Sequence, residues 1–359
     1  MKRFKPRFRP TRRSFLANTG ALAVGLTFLP RHSLSQEEKR LNFYNWDTYI
    51  GETTLEDFQG ETGIEVQMDL YADNDELFAK LRAGNPGYDV IVPTNDYVER
   101  MMEAEMLMPL DHAKIPNMSN IDEPFRDAAF DPGRKHSIPY MWGTMGIGYR
   151  KSKVEEPVDS WGVLMDSDKY SGRISLLSDA QNVLGCGLKY LGFSFNSTNA
   201  DEIRQVEELL IANKRHIKVF APDTGQDLLI AGEVDLCQEW NGDILQVMEE
   251  DEELAYVVPK EGTLLWQDCL AIPTGAPHPD NAHAFINYVL DAEAGAAIAD
   301  YIQYATANAA AKELMDEEYV GNPSIFPPDE VIAKCEPSIY LGEAAIRMRD
   351  EAWTRIQAA

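Results

Sequence analysis

The chain has 359 residues, enough for two ordinary domains and a sizeable buried core. Its composition, 44% hydrophobic and 26% charged residues, is that of a globular protein. A formal net charge of −26 argues against nucleic acid and anionic lipid as partners and draws cations toward any cleft the fold contains.

The chain opens on Lys2, Arg3, Lys5, Arg7 and Arg9, followed by TRRSFLA at Thr11–Ala17 and a small-residue apolar stretch from Gly20 to Pro30. That order reads as a basic region, a twin-arginine signal and an apolar segment too short to span a bilayer. SLS at Ser33–Ser35 offers a small-x-small cleavage site, and no cysteine lies near it to carry a lipid. The expectation is a signal peptide over residues 1–35, export by the Tat machinery, and a soluble periplasmic product. Cleavage would strip eight basic side chains and no acidic ones, taking the formal charge to −34.

Beyond the leader, Leu41–Asn45 reads as a strand, Thr53–Thr62 as a helix closed by Gly63, and Ile64–Leu70 as an alternating strand. Asn74 can cap a helix over Asp75–Ala83, Tyr88–Pro93 is a short apolar strand, and a helix crosses Tyr97–Ala104. This βαβαβ alternation predicts a doubly wound sheet with ligand groups at the carboxyl ends of its strands. His136–Ser152 has no helical period and contains Gly143, Gly146 and Gly148, so it reads as an extended crossover. A second unit follows: strand Arg173–Leu177, helix Val183–Leu191, acidic helix Ala200–Ala212, strand Ile217–Phe220, helix Gly225–Ala231 and strand Val234–Trp240. Leu264–Pro273 reads as a return crossover, Pro279–Leu290 and Leu341–Ile356 as helices. The expected architecture is α/β, a hinged clam of two discontinuous lobes joined by two crossing strands. Lobe 1 takes residues 36–143 and 270–310, and lobe 2 takes 144–269 and 311–359.

An aromatic-plus-acid pattern recurs at four distant points: FYNWDTY at Phe43–Tyr49, EWNGD at Glu239–Asp243, LLWQD at Leu264–Asp268, and Tyr304 within QYATAN. Aromatic faces attract an organic cation through their quadrupoles, and adjacent carboxylates accept its N–H donors. Four such segments together point to ammonium recognition. No GxGxxG follows a strand, and GxxxxGK[ST], HExxH and GxSxG are absent, so neither an enzyme nor a cofactor is expected. The six histidines are scattered, and a tyrosine-ligated ferric site would leave the tryptophans without a purpose, so no metal is expected either. The cysteines, at 186, 237, 269 and 335, are too far apart for CxxC motifs. A Cys186–Cys237 disulfide is open to an exported chain, with four buried thiols as the default.

FYNWDTYI, ETGIEV (Glu61–Val66), YDVIVP (Tyr88–Pro93), IPYMWGTMGIGY, PKEGTLLWQDCLAIP (Pro259–Pro273) and YATANAAA (Tyr304–Ala311) stand in an order that resembles the polyamine-binding periplasmic proteins. These are the spermidine- and putrescine-binding components of ABC importers. The resemblance covers nearly all of the chain after the leader. It implies a two-lobed periplasmic binding protein fold of type II-like arrangement, a polyamine ligand, an inner-membrane permease partner and a monomeric state. It also implies site residues. Trp46 and Tyr49 match aromatics that flank the ligand, Thr94 stands where the family has a serine, and Asp179 matches the acid of the second lobe's first βα turn. Trp240 and Trp266 match a sandwiching pair, Asp268 an ammonium-holding acid, Tyr304 a phenol near the hinge, and Asp243 the acid of the putrescine-type branch.

Three positions depart from the family's pattern. Asn182 stands where a glutamate is common, Asp47 replaces a small hydroxyl residue, and Asp96 replaces an aromatic of the spermidine branch. Carboxylates are rearranged rather than lost, which leaves ligand length open and keeps a guanidino-amine as an alternative.

Overall fold

The computed structural model describes residues 37–155 and 157–359, and the leader and its cleavage site lie outside them. Strand β1 (Arg40–Asn45) is followed by α1 (Thr54–Thr62), which ends as expected at Gly63. There the backbone reaches a φ of 70°, which glycine adopts without strain, and its N–H is donated to the Gln59 carbonyl. Strand β2 (Glu65–Leu70) precedes α2 (Asn74–Arg82). The cap of α2 is Asp73, whose carboxylate accepts the Glu76 N–H, and not Asn74 as expected. Asn74 is the first helical residue, and its side chain is engaged with Thr94 at 2.8 Å. Strand β3 (Val90–Ile91) is shorter than expected because only these two residues pair with β1. Helix α3 (Asn95–Glu103) starts right after Thr94. The Thr94 hydroxyl does not cap that helix, being committed to Asp268 instead.

The predicted crossover is β4 (Ser137–Arg150), 14 residues long. After α4 (Gly162–Met165) come β5 (Ile174–Leu177), α5 (Ala180–Tyr190), α6 (Ala200–Asn213), β6 (Ile217–Ala221), α7 (Gly225–Ile230) and β7 (Leu236–Trp240). Helix α8 (Asn241–Glu250) begins with no intervening loop, and the turn-like Asn-Gly at its start hides it from sequence reading. Then follow β8 (Leu254–Val257), β9 (Leu264–Ala271), α9 (Pro279–Val289) and α10 (Ala292–Ile302), the last also unforeseen. The remainder comprises β10 (Ala305–Thr306), α11 (Ala309–Lys312), α12 (Glu317–Val320), α13 (Asp329–Ile332), β11 (Glu336–Pro337) and α14 (Glu343–Ala358).

Strand pairing follows one path, β2-β1-β3-β9-β4-β7-β5-β6. Its two ends repeat a single pattern. In the first, β2, β1 and β3 are parallel and β9 runs antiparallel beside β3. In the second, β6, β5 and β7 are parallel and β4 runs antiparallel beside β7. The two antiparallel strands pair with each other at the centre. β4 pairs with β9 up to Thr144 and with β7 from Met145, and β9 pairs with β4 and with β3, so each central strand links its own end of the path to the other central strand.

Parallel strands covered on both faces bury nearly continuous apolar runs, as in β5, whose four residues are all buried. Cys186, Cys237 and Cys269 are buried thiols and Cys335 is half-buried; none forms a disulfide, including the Cys186–Cys237 pairing considered above. No described helix is long and apolar enough to cross a membrane.

Candidate functional site

The carboxyl ends of β1, β3, β5, β6 and β7 open on one cleft. All twelve expected residues line it: Trp46, Asp47, Tyr49, Thr94, Asp96, Asp179, Asn182, Trp240, Asp243, Trp266, Asp268 and Tyr304. Its lining is rich in carboxylates, and Arg100 and Arg349 are its cationic members among the described residues.

A row of aromatic rings forms one wall. Tyr49 meets Tyr304 edge-on at 5.2 Å, Tyr304 meets Trp266 at 5.1 Å, and Trp266 meets Trp240 at 5.9 Å. Edge-to-face contacts at these distances are favourable and turn successive rings through near right angles. Two glycines make the row possible. A Cβ on Gly143 would stand 2.7 Å from the Trp266 ring, and one on Gly242 would stand 2.5 Å from the Tyr304 ring. Trp46 is oriented by its Nε1, which donates to the Val92 carbonyl at 2.9 Å, and its ring leans on Tyr71.

At one end of the row lies Asp268, 7% exposed on β9. The Thr94 hydroxyl donates to its Oδ1 at 2.8 Å. Burial pushes Asp268 up to about 7, against the opposing pull of Thr94 and the nearby Tyr49 phenol. The Tyr49 hydroxyl is buried and completes no hydrogen bond of good geometry.

At the other end, Asp223, Glu239 and Asp243 bring carboxylate oxygens within 4.8 Å of one another. Glu239 is fully buried and accepts the backbone N–H groups of Gly225 at 2.9 Å and Trp240 at 3.2 Å. Asp243 sits in the first turn of α8, and its N–H is donated to the Tyr304 hydroxyl at 3.3 Å. Asp223 has a φ of 33°, and its Oδ1 is buried without a partner. Burial pushes all three upward, Asp223 to about 7. Asp223 and Asp243 add repulsion at Glu239, Asp223 adds it at Asp243, and Asp47, Asp73 and Asp227 add it at Asp223, while the Trp240 and Tyr304 side chains oppose the rise of Asp223 and Asp243. Asp47, exposed beside Thr48, adds negative charge toward Asp223 and Asp243. Such a cluster must take up protons or a cation to be stable.

The third group lies toward α3 and α5. Asp179 caps α5 by accepting the Asn182 N–H at 2.8 Å, and burial pushes it up to about 7. Asp96 is pushed up to about 6 by burial, opposed by the Ser338 hydroxyl. Arg349, 1% exposed, donates to the carbonyls of Phe195 at 2.7 Å and Ser197 at 2.9 Å. Burial depresses its guanidinium to about 10 and the charge of Asp179 opposes the fall, so the two face one another electrostatically.

Sequence reading missed Asp223, Asp73, Asn74, Arg349 and the wall at Ser338–Leu341 of the lining, and Glu239, which meets Asp223 and Asp243 without lining the cleft. Asp223 follows the carboxyl end of β6, the place the doubly wound rule marks, and could have been found by it. Glu239 lies inside the EWNGD motif but reads as a strand residue. Arg349 carries no local signal, since a lone arginine in an amphipathic helix looks like any solvated one.

The chain matches the family described as bacterial extracellular solute-binding protein over residues 53–327. It is 34% identical to the putrescine-binding periplasmic protein of Escherichia coli (strain K12), with 95% of this chain and 97% of that one covered. It is 35% identical to the putrescine-binding periplasmic protein of Pseudomonas aeruginosa (strain UCBPP-PA14), covering 90% and 93%. Its fold superposes with a TM-score of 0.77 on a spermidine/putrescine ABC transporter substrate-binding protein of Streptococcus pneumoniae, at 33% identity and with 89% and 99% covered. The chain therefore belongs to the bacterial extracellular solute-binding protein family.

Proposed function

We propose that the protein is a periplasmic receptor that captures a polyamine in this cleft and delivers it to the permease of an ABC importer. The observation that carries this reading is the spacing of charge along the aromatic row: Asp268 at one end, and Asp223, Glu239 and Asp243 at the other. A buried ammonium without a partner would cost several kcal/mol, so a diamine needs one acidic station per charge. Between them, ring faces cover methylenes and attract the flanking cationic carbons. In this reading Trp46, Tyr49, Trp240, Trp266 and Tyr304 hold the chain of the ligand. Thr94 orients Asp268, Asp47 adds charge beside Asp223 and Asp243, and Asp96, Asp179 and Asn182 define the far wall. The relatives named as putrescine- and spermidine-binding support it.

We further propose putrescine as a ligand bound at least as tightly as spermidine. A third amine would reach toward Asp179, where Asn182 offers no charge and Arg349 already opposes the carboxylate. Residues 36–143 with 270–310, and 144–269 with 311–359, would move as two lobes that close on the ligand, with residues 1–35 serving as a twin-arginine leader. Titration calorimetry of the purified chain with putrescine, spermidine and agmatine tests the binding reading. Saturable binding of at least one diamine or triamine is expected; heat changes no larger than dilution for all three would overturn it.

A further inference from the structure

Residues 338–342 form a strap that runs from β11 to α14 and walls the cleft with Ser338, Ile339, Tyr340 and Leu341. Its two anchors differ. On one side, α14 packs against α5 and α6, tied by the buried Arg349 and by Arg355, which grips both oxygens of Glu207 at 2.6 and 2.8 Å. On the other, the strap reaches α3. The Asn95 side chain donates to the Ser338 carbonyl at 2.6 Å, and the Tyr340 N–H is donated to Glu99 at 3.2 Å. The last link of that series is ionic: Arg100 Nε donates to Glu343 Oε1 at 3.0 Å.

Arg100 is built into the α2–α3 side. It is 8% exposed, its guanidinium lies 4.1 Å from the Phe78 ring, and it also meets Asp75 at 3.3 Å. A guanidinium stacked on an aromatic face and held by a carboxylate loses little further freedom when it grips a second one. Glu343 is over half exposed, and its Oε1 also accepts the Tyr340 hydroxyl of the strap at 3.2 Å, so the carboxylate Arg100 grips is itself tied to the strap. Just before it, Gly342 has a φ of 80°, a conformation that lets the chain turn sharply from strap into helix. Burial works against the Glu343 charge, yet Arg100, helped by the Tyr340 hydroxyl and Arg82, keeps the carboxyl below its ordinary range.

We propose that Arg100 is a positioning residue for ligand retention: by gripping Glu343 it holds the 338–342 strap across the cleft and sets how fast a bound polyamine leaves. The proposal rests on the polyamine reading for the identity of what is retained. Arg100 also lines the cleft whereas Glu343 does not, so Glu343→Gln reports the strap link by itself, and loss of that link changes dissociation more than association.

Stopped-flow tryptophan fluorescence on the full chain, with putrescine and spermidine as probes, separates the two rates. Arg100→Gln and Glu343→Gln are each expected to speed dissociation about threefold to tenfold, with association within about twofold of wild type. Arg100→Lys should recover part of the loss, and Asp75→Asn, which leaves the strap link intact, should change dissociation little. Hydrogen exchange at the Tyr340 amide of the ligand-free protein tests the grip without reference to any ligand, and Glu343→Gln should accelerate it. Unchanged Tyr340 exchange, or dissociation accelerated less than about threefold by both Gln variants, overturns the proposal. A wild-type chain that binds neither amine, but whose Tyr340 exchange responds to Glu343→Gln, instead overturns the polyamine reading and keeps the strap.

Discussion

The two ends of the aromatic row solve the burial of negative charge differently. Asp268 stands alone with a neutral hydroxyl donor from Thr94 and a phenol nearby, so one carboxylate is prepared for one positive charge. Asp223, Glu239 and Asp243 crowd together: Glu239 accepts two backbone N–H groups, Asp223 and Asp243 draw on the Trp240 and Tyr304 side chains, and the Asp223 Oδ1 has no partner. One end is a fitted socket; the other is a reservoir of negative charge that only protons or a cation can settle. The difference teaches that buried carboxylates in one cleft can be settled in two ways, by donors the fold supplies or by charge it must take up.

The largest effect should come from the socket. Asp268→Asn removes one member of a buried charged pair, a loss of about 3–5 kcal/mol or several hundredfold in affinity for putrescine. Calorimetry within threefold of wild type would move the ammonium elsewhere.

The next effect is pH. Asp268, Asp179 and Asp223 are pushed up to about 7, so below that pH they hold protons that an arriving ammonium must displace. An aliphatic amine stays charged to about pH 10. Affinity should therefore rise about tenfold or more from pH 5 to pH 8, with proton release seen as buffer-dependent heat near pH 6. Stability of the free protein runs the other way. Folded carboxyls that titrate near 7 and unfolded ones near 4 make the folded state bind more protons between those values, so stability falls as pH rises through that window and is level above it. Ligand should thus raise the melting temperature more at pH 8 than at pH 5. Equal shifts would mean that the free cleft is already ionised at pH 5.

The reservoir can be relieved. Asp223→Asn keeps a side chain that tolerates the positive φ and removes one repelling charge. At pH 8 the free protein should melt about 2–4 °C higher while putrescine binds about tenfold more weakly. Higher stability with unaltered affinity would show that this end does not face the ligand.

The smallest effect probes length. Asn182→Glu places a carboxylate beside Asp179 and should favour spermidine over putrescine by about fivefold relative to wild type. Competition between the two amines reads this directly, and a wild-type preference for spermidine of tenfold or more would implicate Asp47 and Asp96 as acids for the extra amine.

Much of this was legible in the chain, for identifiable reasons. Burial periodicity placed β1, α1, β2, β6 and α9 within a residue or two, because alternation and helical spacing are local consequences of which face is buried. The glycine at position 63 announced a helix end because glycine, with no Cβ, takes the left-handed backbone without strain. Helices α8 and α10 were hidden: Asn241–Gly242 imitates a turn, and α10 follows α9 after so short a link that the break carries no separate signal. The aromatic-plus-acid motifs brought Trp46, Trp240, Trp266 and Asp268 to notice because a ring beside a carboxylate is written in adjacent positions.

What the sequence determined alone was therefore the set of local elements, the acidic balance and the chemical class of the site. Tertiary structure decided which acids share a charge problem. Asp223 meets Glu239 and Asp243, and Arg349 faces Asp179 from 170 positions further along the chain, because strand order and helix packing bring them together. Electrostatic energy depends on distance through space and on burial, and neither quantity exists for a residue until the chain has folded around it.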